Sequence, residues 1–238
     1  MEYINHLFFL LLVLISASAA NAATFTLQNR CSTTIWPGTL SGRGPLLING
    51  GTQLNPGQSI TFDVPHQWSG RFWPRTGCSF GPNNHKCSTG DCGGGLLQCN
   101  GVGGEPPATL AEFTLDDLNF YDVSVVDGFN IPVSIYPSGG TGDCKKVECF
   151  SDLNTSCPQE LQVVDDGGRV VACKSACTAY HTPEYCCTGE YGNPQSCKPS
   201  SFSKIFKAAC PSYYSYAYDD ATSTFTCRGA TGYLIRFC

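Results

Sequence analysis

Cys87-Ser88-Thr89-Gly90-Asp91-Cys92-Gly93-Gly94, closed by Cys99, is the stretch on which the reading of this chain turns. With Cys78 it forms one tight group of cysteines. Cys31 stands well before it, nine more lie from Cys144 through Cys210, and Cys227 and Cys238 finish the set, 16 in 238 residues. Thiols at this density are characteristic of a chain built in an oxidising compartment and held by disulfides. A zinc-site reading is weak, because no tandem C-x2-C pairs occur and the whole chain carries only 4 His. Adjacent Cys186 and Cys187 cannot easily bond each other, so each should reach a separate partner. Spacing alone leaves roughly two million pairings open. A bond between Cys31 and Cys238 would close the chain end to end, worth roughly 5 kcal/mol in the chain-entropy model.

Outside the cysteines the composition is sparing in charge. Charged side chains make up 14% of the chain, with 14 Lys and Arg against 19 Asp and Glu. That balance disfavours phosphate neutralisation, so nucleic acid is not an expected partner, and it disfavours anionic membrane surfaces. Residues 7–15 are an apolar run, followed by small residues and Ala20-Asn21-Ala22, an A-x-A pattern that predicts a signal peptide over 1–22 cleaved after Ala22. The run is short of the ~20 residues that span a bilayer. No later stretch is apolar enough to span, so the mature chain is expected to lack a transmembrane segment. Removing the leader takes away Glu2 alone, leaving 14 basic against 18 acidic side chains, a net −4. The expected location is the extracellular space.

The remaining sequence reads as short strands. Residues 23–29, 59–64, 71–76, 110–115, 120–126 and 131–136 alternate apolar with polar positions, and 33–38 is a strand broken at Pro37-Gly38. Turns fall at Asn55-Pro56-Gly57 and Asp127-Gly128. Between Cys99 and Cys144 no cysteine occurs, so hydrophobic strands must carry that stretch. This spacing predicts a mainly β protein, an antiparallel sandwich or barrel. The region from Cys144 to Cys210 reads as loops with short helices at 175–180 and 203–208.

The opening stretch strongly resembles the signature of the thaumatin-like proteins, the plant pathogenesis-related group that includes osmotin. So do Arg75-Thr76-Gly77-Cys78-Ser79-Phe80, Val126-Asp127-Gly128-Phe129-Asn130-Ile131-Pro132, Tyr185-Cys186-Cys187 and Ser223-Thr224-Phe225-Thr226-Cys227. The similarity runs from about Ala23 to Cys238. Asn83-Asn84-His85-Lys86 departs from the Gly-rich positions usual there, and the tolerance of Asn for positive φ is what would preserve that turn. The resemblance implies an antiparallel β-sandwich of about eleven strands, with a small lobe over 78–99 and a disulfide-rich lobe over 144–210. It also implies eight bridges by cysteine order: Cys31–Cys238, Cys78–Cys87, Cys92–Cys99, Cys144–Cys227, Cys149–Cys210, Cys157–Cys173, Cys177–Cys186 and Cys187–Cys197.

The same resemblance implies a cleft lined by one Arg and four acids, matched here by Arg71, Glu112, Asp122, Asp127 and Asp219. Asp122 and Asp127 are separated by an odd number of positions, so plain alternation would put them on opposite faces. They can share a cleft only where Asp127-Gly128 redirects the chain. Carboxylates accept hydrogen bonds from sugar hydroxyls, and Tyr121, Phe129 and Tyr218 are candidate stacking faces. The implied partner is β-1,3-glucan of fungal walls, bound by a monomer without metal or cofactor. Slow hydrolysis would need a protonated acid and an ionised partner, for which Glu112 and Asp127 are the candidates. Arg71 opposes this by favouring the ionised form of its neighbours. A non-enzymatic interaction or protease-inhibitor-like protein is the third class, although net acidity argues against the strongly basic sweet-tasting relatives. His66, His85 and His181 lack a nucleophile context. Trp36, Trp68, Trp73 and Arg75 read as structural, and Asp91 as an organiser of its loop through backbone hydrogen bonds. Asn154-Thr155-Ser156 is a sequon for glycosylation at Asn154.

Overall fold

The computed structural model describes residues 22–81 and 84–238. The leader assigned to 1–22 lies outside them except for Ala22, and so do Pro82 and Asn83. The strands are β1 (Ala23–Asn29), β2 (Gly38–Arg43), β3 (Ser59–Val64), β4 (Ser69–Trp73), β5 (Ser79–Gly81), β6 (Asn84–Lys86), β7 (Leu110–Thr114), β8 (Leu118–Ser124), β9 (Val133–Thr141), β10 (Gln162–Val164), β11 (Val170–Cys173) and β12 (Phe225–Phe237). The helices are α1 (Ala176–Tyr180), α2 (Pro183–Cys186), α3 (Ser201–Ala209) and α4 (Asp220–Ser223). The chain is therefore mainly β, as its alternating patterns predict.

The two layers of the sandwich belong to one curled sheet in the order β2-β4-β7-β8-β12-β1-β3, with β9 also on β12. Strand β12 makes this possible. Its first residues, Phe225–Arg228, pair with β8, whereas Gly232–Phe237 pair with β1. A register shift between Ala230 and Gly232 marks the bend between layers. The β1–β12 pairing is parallel, a local exception to the antiparallel expectation. Parallel neighbours need a long crossover, and here almost the whole chain supplies it. Both strands then end at the same edge, where Cys31 meets Cys238.

Alternation along the strands fills the space between layers. In β1, Phe25 and Leu27 are buried while Thr24 is exposed. The Phe25 ring lies 4.8 Å from Phe113 and 5.9 Å from Phe72, so the two layers meet through aromatic edges. The other disulfides join Cys78 to Cys87, Cys92 to Cys99, Cys144 to Cys227, Cys149 to Cys210, Cys157 to Cys173, Cys177 to Cys186, and Cys187 to Cys197. Within the disulfide-rich lobe, the β10–β11 ribbon was hidden from the sequence reading, which saw only loops and helices there. Backbone bonds fasten this lobe to the sandwich: Phe129 and Cys173 exchange both, at 2.8 and 2.7 Å, and Tyr214 is held between Val123 and Val125 at 2.9 Å each. Helix α1 begins where Ser175 accepts from the Thr178 amide, and α3 where Ser200 accepts from that of Ser203, the usual caps for exposed first-turn donors.

Candidate functional site

Cross-strand register places a row of polar side chains on the outer face of one layer. Leu40, Arg71, Glu112 and Asp122 stand directly opposite one another across β2, β4, β7 and β8. Directly opposed residues bring their Cβ atoms to about 4.5–5.5 Å. Their sequence neighbours Phe72, Phe113 and Tyr121 point the other way, into the core. The polar row is thus the solvent face of strands whose opposite face holds the sandwich together.

Asp127 reaches the row through a turn rather than a strand. The Gly128 amide donates to the Val125 carbonyl at 2.9 Å, and Gly128 has φ +97°. A Cβ at Gly128 would lie 2.5 Å from Pro107 and 2.8 Å from the Cys173 carbonyl, so glycine is required on both counts. The chain folds back there. As a result Asp127 lines a hollow of about 300 Å³ with Arg71, Glu112, Asp122, Ser124 and Tyr214. A second hollow, of about 450 Å³, continues from it along Ser69, Thr114 and Phe120. The two share Arg71, Glu112 and Asp122 and form one trough. Gly103 gives the guanidinium its room, since a Cβ there would sit 3.2 Å from Arg71 Nη2.

The charges in the trough are not neutralised by one another. Among the described residues no ion pair within 4.0 Å and no side-chain hydrogen bond engages Arg71, Glu112, Asp122 or Asp127. Burial lifts the Glu112 carboxyl above the ordinary range; Arg71 draws it down and Asp127 pushes it up. Burial lifts Asp122 further, helped by the charges of Glu112 and Asp220, and its Oδ1 is buried without a partner. The objection that Arg71 would keep Glu112 ionised is therefore outweighed, because desolvation of the carboxylate is the larger effect.

Asp219 does not join the other four. It accepts from the Ser215 amide at 3.0 Å, Ser215 Oγ at 2.9 Å and Thr222 Oγ1 at 3.1 Å, and it pairs with Lys207 at 3.1 Å. These bonds brace the turn entering α4, so its lone pairs are spent on structure. Its neighbour Asp220 accepts from the Tyr214 hydroxyl at 2.8 Å and so backs the trough wall. All three suggested stacking aromatics are also elsewhere: Tyr121 and Phe129 are buried in the core, and Tyr218 is half-buried outside the lining. Position parity accounts for Tyr121. On β8 the trough face belongs to Phe120, Asp122 and Ser124, and Phe120 is 43% exposed. The shared parity of Phe120 and Asp122 was a signal available in the sequence.

Other expectations resolve simply. Trp68 and Trp73 are fully buried, and Trp36 is half-buried with its indole on Gln53. Arg75 is fully buried and donates to the carbonyls of Trp36, Leu96 and Leu97. Desolvation lowers it to about 10, against the opposing pull of Asp91. The Asp91 side chain makes no hydrogen bond among the described residues, so it does not order its loop through backbone hydrogen bonds as expected; its charge acts on Arg75 instead. The Asn154 amide donates to the Asn130 carbonyl at 2.9 Å, so the sequon nitrogen is engaged within the fold. His66, Asp116 and Asp117 bring one donor atom each within 4.8 Å, but Asp116 already faces Arg43 at 3.6 Å. Among the described residues the trough carboxylates form no such group.

A disulfide-built sandwich with an acidic trough on one sheet face defines a recognisable class. The thaumatin family model matches residues 29–238, and the chain belongs to that family. A pathogenesis-related thaumatin-like protein 3.5 from Cryptomeria japonica is 58% identical over 230 residues, covering 96% of this chain and 95% of that one. A Prunus avium protein named glucan endo-1,3-beta-glucosidase is 49% identical over 232 residues, covering 95% of each. A laminaripentaose-producing β-1,3-glucanase solved with laminaritetraose superposes with a TM-score of 0.64 over 91% of this chain and 98% of its own. At 11% identity that likeness speaks for the fold alone. No helix among the described residues is long and apolar enough to cross a membrane.

Proposed function

We propose that this chain is an exported plant defence protein whose trough binds β-1,3-glucan of fungal walls. One observation carries the reading: four polar side chains, Arg71, Glu112, Asp122 and Asp127, line a single trough, none of them in an ion pair or side-chain hydrogen bond among the described residues, and Asp122 Oδ1 is buried there. Groups left unpaired on a half-buried face cost free energy unless a ligand pairs them. A neutral polyol suits them, because each hydroxyl both donates and accepts. Protonated Asp122 would donate, the ionised carboxylates accept, and Arg71 donates. The names of the relatives agree with a glucan ligand. The test is retention on insoluble β-1,3-glucan by the oxidised, leader-free chain. Retention is expected for the parent and its loss for Asp122→Ala and Arg71→Ala. Parent protein that stays in the supernatant would sink the reading.

Hydrolysis is a second reading, favoured by the raised Glu112 carboxyl and by the activity named for the Prunus avium relative. Glu112 would protonate the leaving oxygen, and Asp127 would act as nucleophile or base. Asp122 is poorly suited to that second role, since burial favours its protonated form. Reducing-sugar release that disappears in both Glu112→Gln and Asp127→Asn, with retention kept, supports catalysis. Release unchanged in both variants refutes it.

A further inference from the structure

We infer that Phe120, Thr114 and Ser69 form a second sugar subsite beside the carboxylate row, selective for glucose-configured rings. The inference rests on the glucan reading and adds to it where along the trough a ring stacks and which ring fits. Ser69, Thr114, Phe120 and Thr226 stand opposite one another on β4, β7, β8 and β12, two positions along the strands from Arg71, Glu112 and Asp122. Two residues advance a strand by about 6.8 Å, the scale of one pyranose unit. Ser69, Thr114 and Phe120 of this row line the larger hollow, about 450 Å³, which opens directly from the carboxylates.

Phe120 is an anomaly in structural terms. It sits on an interior strand of the sheet, yet it is 43% exposed and has no aromatic neighbour at stacking distance among the described residues. The adjacent Phe113 and Tyr121 rings take up the core packing instead. Beside it, the Ser69 and Thr114 hydroxyls make no side-chain hydrogen bond among the described residues. An apolar ring flanked by two free hydroxyls complements a hexopyranose with only C–H bonds on its face and its hydroxyls at its rim. A β-glucosyl unit has that form. A ring with an axial hydroxyl carries that polar group on one of its two faces, and stacking through that face would lose a hydrogen bond to water.

The experiment measures binding of soluble β-1,3-gluco-oligosaccharides of increasing length to the parent, Phe120→Ala, Phe120→Trp and Phe150→Ala, with circular dichroism as the folding control. Phe150 is 76% exposed and lies outside the trough lining, so it reports non-specific aromatic adsorption. The expected result is a loss of about tenfold for Phe120→Ala with the longer oligosaccharides, equivalent to about 1.4 kcal/mol. Little loss is expected for the shortest, with near-parent binding in Phe120→Trp and Phe150→Ala. Parent binding that Phe120→Ala leaves unchanged overturns the subsite while the glucan reading stands. An equal loss in Phe150→Ala also overturns it. A parent that binds no oligosaccharide and no insoluble glucan overturns the glucan reading, and the subsite with it.

Discussion

Arg71 and Arg75 lie four residues apart in Arg-Phe-Trp-Pro-Arg, and they have opposite fates. Arg75 is fully buried beneath the small lobe, and carbonyls of Trp36, Leu96 and Leu97 take up its protons. Arg71 faces the trough with no acceptor among the described residues. The same contrast separates Asp219, saturated by Ser215, Thr222 and Lys207, from Asp122, whose buried Oδ1 has no partner. Arg75 and Asp219 are structural groups with their partners in place. Asp122 Oδ1 is one of four buried side-chain atoms without a partner among the described residues, and the one that lines the trough, where a ligand would complete it.

The widest separation should appear between the two arginines. Arg75→Met removes three hydrogen bonds from a buried cation to part-buried carbonyls, each costing about 1–3 kcal/mol, so a total loss of about 3 kcal/mol or more is expected from guanidinium unfolding. Arg71→Met should stay within about 1 kcal/mol of the parent yet lose retention on glucan. Equal stability losses in the two variants would remove the distinction. The acids come next. Asp219→Ala takes away the one carboxylate facing Lys207 among the described residues and leaves the Ser215 amide without its side-chain acceptor, at a cost of about 2–3 kcal/mol. Asp220→Ala, which gives up one exposed bond to Tyr214, should cost under about 1 kcal/mol.

These contrasts also show how far the sequence could be read. Strands β1 and β3 are legible to the residue because each keeps one polar and one apolar face. Strand β12 is not: residues 228–232 alternate poorly, since that strand leaves one layer and enters the other within 13 residues. The Arg71–Glu112–Asp122 row was readable as residue types, but its alignment depends on three strand registers that no local pattern fixes. The turn that returns Asp127 was legible as Asp-Gly. Asp219 and Asp220 look alike in sequence, whereas only Asp219 has Ser215, Thr222 and Lys207 around it, and that surrounding is set by the fold.

Asp122 supplies a smaller effect, with a definite sign in pH. Its folded carboxyl titrates well above the ordinary range, so between that range and its raised value the native state holds more protons than the unfolded chain. Stability from this group is therefore full in acid and declines as pH rises through the raised value. Glu112 adds a decline of the same sign. Asp122→Asn removes the larger share, so its unfolding free energy should be flatter from pH 4 to 7, and higher than the parent's at neutral pH by about 1 kcal/mol. A parent profile that rises with pH over this range, and a variant that follows it, would place the carboxylate in water rather than in the sheet face.

The smallest effect expected is that of salt, and it discriminates between two ways a charged trough can act. Steering of a charged ligand weakens steeply as the Debye length falls from about 30 Å at 0.01 M to about 3 Å at 1 M. Hydrogen bonds to a neutral polyol are made inside the trough at contact distance, where screening has little to act on. Glucan affinity should change less than about twofold across that range, while Asp122→Ala remains impaired at every concentration. A strong salt dependence would recast the unpaired charges of Arg71, Glu112 and Asp127 as a field for an ionic partner. The contrast with Arg75 would then concern long-range electrostatics, and the trough would no longer be defined by bonds awaiting completion.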